Sequence, residues 1–378
     1  MAEPAELPEP DRIEGAPHPR ETLALIGHRA AEAAFLDAYT SGRLHHAWLI
    51  TGPQGVGKAT LAWRIARFLR ATPTVGPAGL FGTPPAPATL DIDPEHPVVR
   101  QSRALAEPGI FLLRRGPRDK PNEDKLAAEI LVKEVRRMRG FFGLTVVDGG
   151  RRVVIVDAAD EMNPQAANAL LKSLEEPPAG TVFLLVSHQP SRLLPTIRSR
   201  CRELRLAPLA APDLARALEA AGTPPGPDAA ALGALAGGSV GAALRLAHLD
   251  GLTTYRDLIR IFTGAPDYDR LRAIQLANAS AGIGNAPKLD LAIRLIELFL
   301  ARLAASGVGR PPEVEAAPGE AALIARLAPG PDAARAWASL HQTLSARAAH
   351  GRAVNLDPAA LILDMVFRIN ETASTWGR

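Results

Sequence analysis

A single cysteine, Cys201, in 378 residues excludes an intrachain disulfide and any zinc site built from several cysteines. That fits a reducing cytosol, so a cytoplasmic location is expected. Charge of one sign is also scarce. The 43 Lys and Arg against 40 Asp and Glu leave a net +3, a surplus that does not by itself point to nucleic acid. Long apolar runs are missing: no stretch approaches the roughly 20 residues that span a bilayer, so no membrane association is expected. The opening, MAEPAELPEPDRIEGAPHPR, is acidic and proline-rich without an apolar core, and reads as a disordered tail over 1–20, not a signal peptide.

What is present is a soluble globular composition, 47% hydrophobic and 22% charged, with length for two or three domains. Arg20–Arg70 and Ile110–Leu206 alternate strand and helix patterns, whereas everything after Pro208 is rich in Ala and Leu at helical spacing. That order predicts an α/β domain followed by all-helical domains. Ala71–Pro97, rich in Pro, Gly, Ala and Thr, reads as a surface insertion. Softer stretches at Ala221–Pro227 and Gly307–Gly319 interrupt the helical part.

Ala47–Thr51 (AWLIT) has the pattern of a buried strand, and Gly52-Pro53-Gln54-Gly55-Val56-Gly57-Lys58 follows it. A helical pattern comes next, with Leu61, Ile65, Phe68 and Leu69 on one face. Strand, glycine loop and helix form the context of a Walker A motif. The glycines let successive N–H groups converge on phosphate oxygens, the helix N-terminus adds positive potential, and Lys58 reaches the β- and γ-phosphates. The candidate phosphate site is Gly52, Gly55, Val56, Gly57, Lys58, Ala59, Thr60 and, further on, Asp157. Ala59 stands where the motif uses a Ser or Thr hydroxyl as a Mg²⁺ ligand. Thr60 is one position on, turned by about 100° around the helix. Phosphate binding is left open; metal-assisted hydrolysis is expected to be impaired.

Val153–Val156 is a β-branched run suited to a central parallel strand, and Asp157 ends it where a Walker B aspartate would sit. Asn163-Pro164 predict the cap of a helix that runs to the Pro177-Pro178 pair. Asn168, Lys172 and Glu175 on it are equally a solvated face, and no role is assigned to them. Val182–Val186 predicts another buried strand, followed by Ser187-His188 and then LLPTIRSRC, Leu193–Cys201. Cys201 reads as a small buried apolar residue, with no His/Asp arrangement that would make it a nucleophile.

Taken together, GPQGVGKAT, VVIVDAAD, NALLKSLEEPP and the SRC element resemble the clamp-loader branch of the AAA+ ATPases, over roughly Glu21 to Asn370. The resemblance implies a P-loop AAA+ domain, a parallel sheet with helices on both faces, over 21–207, with 71–97 as a flexible insertion. It further implies a small helical lid over 208–253 and an all-α collar over 254–378 that ties subunits into a ring. In that family the SRC arginine, here Arg200, reaches across a subunit boundary to a neighbour's γ-phosphate. A planar, permanently charged guanidinium suits that task. Arg198 and Arg202 flank it, and a plain basic strip is the alternative for all three.

The resemblance also marks departures. Hydrolysing relatives carry Glu after the Walker B aspartate, where this chain has Ala158, and Glu161 lies past the strand end. His188 departs from the usual sensor-1 pattern. The lid arginine called sensor 2 is replaced by Gly241 in Gly238-Ser239-Val240-Gly241-Ala242-Ala243-Leu244, and Arg245 follows about a turn later. Many members also carry a four-cysteine zinc module where 71–97 has no cysteine; His96 with Asp91 and Asp93 makes a poor substitute, and no zinc is expected. These losses beside a retained Arg200 resemble the family's non-motor member. Such a subunit is at most a weak ATPase, requires no cofactor of its own, and leaves ATP or ADP binding in a degenerate pocket open. Its partners would be gamma/tau-type motor subunits and a delta subunit in a hetero-pentameric ring. Through that ring it would meet the sliding clamp and primer-template DNA. The alternative is an active gamma/tau-type motor ATPase, which would need the missing Ser/Thr and Glu. A free-standing nucleotide-binding regulator is a third reading, against which the SRC element and collar-like helices stand.

Overall fold

The computed structural model describes residues 9–10, 12–13, 15–72, 86–118, 126–143, 150–282 and 284–376. The chain divides into two compact units, Met1–Ala217 with Ser239–Gly241, and Leu218–Gly238 with Ala242–Arg378. The residues expected to form a separate lid over 208–253 are shared between these two.

The first unit is built on five parallel strands, β1 (Ala47–Thr51), β2 (Ile110–Leu113), β3 (Arg152–Asp157), β4 (Thr181–Ser187) and β5 (Arg202–Arg205), in the order β2-β3-β4-β1-β5. The three central strands are buried almost end to end, with apolar middles, because helices cover both faces. Ala47, Leu49, Val154, Val156, Phe183 and Leu185 face one layer with Val135, Met138, Leu170 and Leu174, from α4 (Val132–Phe142) and α5 (Pro164–Glu175). The alternate residues face the other layer. There Trp48 meets Phe35 of α1 (Arg29–Thr40) at 5.1 Å between rings, and Tyr39 meets Phe68 of α2 (Lys58–Ala71). The expected cap of α5 is present, with the Asn163 side chain accepting from the Ala166 N–H at 2.8 Å.

Residues 73–85 of the expected insertion lie outside the described residues, as do 1–8, 11 and 14 of the expected tail. The remainder of both is held by specific contacts. His18 is 1% exposed, and Glu9 pairs with Arg20 and with Arg114 (3.1 Å). Asp91 is held by Arg64 of α2 at 2.9 Å, whose hydrogen bond keeps its carboxyl below the usual range. The His96 ring accepts from the Val98 N–H at 3.2 Å, capping α3 (Pro97–Arg103).

Past β5 the described chain is helical: α6 (Pro195–Arg198) precedes that strand, and α7 (Ala211–Ala220) to α15 (Pro358–Trp376) follow it. Within the Ala- and Leu-rich stretch after Pro208, Gly237-Gly238, both at positive φ, separate α8 (Ala229–Ala236) from α9 (Val240–His248). In the second unit α12 (Ala286–Gly307) packs along α14 (Pro331–Ala353), and α11 (Arg270–Ser280) along α15. Its core contains an ionic cluster: Arg302 donates to Glu320 at 2.6 Å and to the Ala234 carbonyl at 2.8 Å, while the Tyr255 hydroxyl donates to the same Glu320. Buried charges of this kind hold only when each is paired and hydrogen-bonded. No helix among the described residues is long and apolar enough to cross a membrane.

Candidate functional site

The carboxyl ends of β3, β4 and β1 lie side by side, which gathers Asp157, Ser187 and Thr51 along one rim of the sheet, the place where open α/β sheets bind ligands. Thr51 donates to Glu203 at 2.6 Å. The Ser187 hydroxyl is fully buried and has no hydrogen-bond partner among the described residues. Asp160, just past β3, accepts from the backbone N–H groups of His188 (2.9 Å) and Gln189 (3.2 Å). That carboxylate fixes the turn after β4 and so explains the second Asp of DAAD.

The glycine loop leaves β1 and enters α2 through Gly57, at φ +109°, as the cap residue. Lys58 is 3% exposed, and its ammonium donates to the loop's own carbonyls, Gly52 at 2.7 Å and Pro53 at 2.5 Å. Burial pushes it down to about 8, against the pull of the Asp157 and Asp160 carboxylates. His28 supports the loop from behind, its Nε2 hydrogen-bonded to the Val56 carbonyl at 2.8 Å; burial lowers its pKa in spite of that bond.

The loop is closed from the front by Ser239–Gly241. Ser239 donates to the Gln54 carbonyl at 2.7 Å, and the Gly241 N–H donates to the Gly55 carbonyl at 2.9 Å. Gly55, at φ +80°, lies so close that an added Cβ would stand 2.6 Å from Ser239 Oγ and 2.9 Å from Gly241 Cα. An added Cβ on Gly241 would in turn stand 2.9 Å from Gly55 Cα. Sequence reasoning saw a missing arginine at 241. The structure shows a glycine that the contact with the loop requires.

Ala59 and Thr60 open α2, both half-buried. Asp157 is 8% exposed at the end of β3, and Ala158 is 3% exposed. Glu161 does not face the loop as a replacement: it pairs with Arg115 at 2.8 Å.

The second cluster is at the other end of the SRC element. Leu193 and Ile197 are buried in the core beside β4, and Cys201 packs against the same cluster. Burial pushes the Cys201 thiol up to about 12, which makes it inert. The turn from α6 into β5 therefore points its polar residues outward. Arg202 lays its guanidinium 5.2 Å from the Trp48 ring, and Arg198 is exposed. Arg200 is the one held on both sides: it forms an ion pair with Glu175 at 2.9 Å and donates a hydrogen bond to the Thr196 carbonyl at 3.0 Å, with 36% of its side chain exposed.

Residues 96–210 match the family described as DNA polymerase III, delta subunit. The chain is 44% identical over 158 residues to the DNA polymerase III subunit delta' of Pseudomonas aeruginosa, covering 41% of each chain. It is 35% identical over 176 residues to that of Escherichia coli K12, covering 45% of each, and 31% identical over 189 residues to the subunit gamma/tau of Mycobacterium tuberculosis, covering 48% of this chain and 28% of that one. The chain thus spans less than half the length of these curated relatives. Among solved structures, a DNA polymerase III gamma subunit-related protein of Thermotoga maritima aligns at a TM-score of 0.47 and 15% identity, over 91% of this chain and all of that one, too loosely to carry an argument. Over residues 96–210, which include the β3 aspartate and the SRC element, and over less than half of each relative's length, the chain is similar to the DNA polymerase III delta-prime subunits.

Proposed function

We propose that the chain serves as the delta-prime subunit of a DNA polymerase III clamp loader. In that role it helps place the sliding clamp on primed DNA, supplies Arg200 to the ATP site of a neighbouring motor subunit, and turns over no ATP itself. The observation that carries this reading is a pairing: Ala59, Ala158 and Gly241 stand at three positions of the hydrolytic apparatus, while Arg200 is intact and reaches the surface. Without a hydroxyl for Mg²⁺ or a carboxylate to polarise water, a P-loop lacks the groups that drive phosphoryl transfer. A guanidinium acting from outside needs none of them. The partners are the gamma/tau-type subunits and delta in a hetero-pentameric ring, and the location is the cytoplasm.

The test is reconstitution with purified motor subunits, delta and clamp. Arginine fingers contribute about 10³–10⁵ in rate at a single site. In a ring only the site facing this subunit should fail, so Arg200→Ala lowers total clamp-stimulated ATPase in part and clamp loading more. Wild-type values for both would leave the subunit as a scaffold only.

A further inference from the structure

The helix before Pro177-Pro178 carries a residue with no evident task in the sequence. Glu175 ends α5, 25 positions before Arg200, and the fold brings the two together at 2.9 Å. Neither backbone is free to drift. Leu174, next to Glu175, is 1% exposed and its carbonyl accepts from His46 at 3.0 Å; Ile197, whose carbonyl accepts from the Arg200 N–H at 3.1 Å, is fully buried. Leu174 and Ile197 belong to one apolar cluster, so the carboxylate and the guanidinium are presented to each other by the core. Of the three arginines in this turn, Arg200 alone is ion-paired among the described residues: Arg202 lies against Trp48, and no acid faces Arg198.

We propose that Glu175 is the resting partner of Arg200, a positioning residue that holds the guanidinium at the subunit edge and releases it to a more highly charged phosphate. This rests on the reading of Arg200 as a trans-acting finger. The pair is built for exchange. Both side chains are partly exposed, 36% and 48%, so water and salt weaken the attraction, and an ion pair of this kind holds its members only loosely. Glu175 also sits at a helix C-terminus, whose partial negative charge adds to its own and favours a cation there. A neighbour's triphosphate offers several charged oxygens in place of one carboxylate, so the fork transfers to it. Until then, the charge of the carboxylate and the hydrogen bond to the Thr196 carbonyl keep the long side chain from sweeping the subunit edge.

A resting partner competes with the phosphate, which fixes the sign of the test. In the assembled loader Glu175→Gln should lower the ATP concentration for half-maximal clamp-dependent turnover by about two- to fivefold, with kcat unchanged. The effect should vanish in the Arg200→Ala background, as coupled residues require. A Glu175→Gln variant that leaves that concentration unchanged or raises it, or whose effect persists without Arg200, overturns the assignment of Glu175 while the finger stands. An Arg200→Ala loader that behaves as wild type removes the finger and this proposal with it.

Discussion

The phosphate loop and the SRC turn sit in the same unit and differ in where their polar groups end. In the loop, the Lys58 ammonium, the Gln54 carbonyl and the Gly55 carbonyl are all satisfied from inside the chain, by Gly52, Pro53, Ser239 and Gly241. At the SRC turn the apolar residues go inward and the arginines outward, with Arg200 held by a contact that water reaches. A loop that hydrolyses must open to metal and water; a finger needs only an edge. On the reading proposed above, the difference is that of a nucleotide-binding fold that keeps an outer contribution to a neighbour after its own chemistry has been replaced.

The contrast can be broken most severely at Gly55. Gly55→Ala puts a Cβ into Ser239 and Gly241 at a left-handed backbone position, and should cost about 2–4 kcal/mol in urea unfolding. Gly241→Arg, which restores the family's lid arginine in name, should cost about 1–3 kcal/mol against the Gly55 backbone and yield no ATPase. Lys58→Met removes a pH dependence. The folded-state value of about 8 lies below the ordinary 10.5, so the unfolded chain keeps a proton the folded chain has lost. Stability therefore gains with rising pH across that window, and the variant should flatten the gain in denaturation midpoints taken from pH 8 to 10.5. Smallest of all is Arg198→Ala, exposed and facing no acid among the described residues, which should move stability by no more than about 0.5 kcal/mol.

Much of this was legible where the signal is local. Glycines at 52, 55 and 57 with Lys58, a β-branched run ending in Asp157, and Leu193, Ile197 and Cys201 spaced around three arginines each state their geometry within a few residues. The Asn163-Pro164 cap was legible for the same reason. What stayed hidden are contacts made across the chain. The Ser239–Gly241 closure meets the loop from more than 180 residues away, so the glycine at 241 reads only as a loss. Asp160 fastening the turn after β4, and Glu175 meeting Arg200, likewise depend on which helix the sheet places beside which strand. The break at Gly237-Gly238 was written in the sequence as a glycine pair, yet its consequence, the assignment of Ser239–Gly241 to the first unit, was not.

The most direct measurement sets the two regions against each other inside one machine. Loaders are assembled with wild-type subunit, with Lys58→Met or with Arg200→Ala, and clamp- and DNA-stimulated ATPase is recorded for each. A closed loop and a working edge require that Lys58→Met leave the rate at the wild-type level while Arg200→Ala lowers it. A loader slowed by Lys58→Met and indifferent to Arg200→Ala would mean that the subunit burns its own ATP and lends nothing to its neighbour.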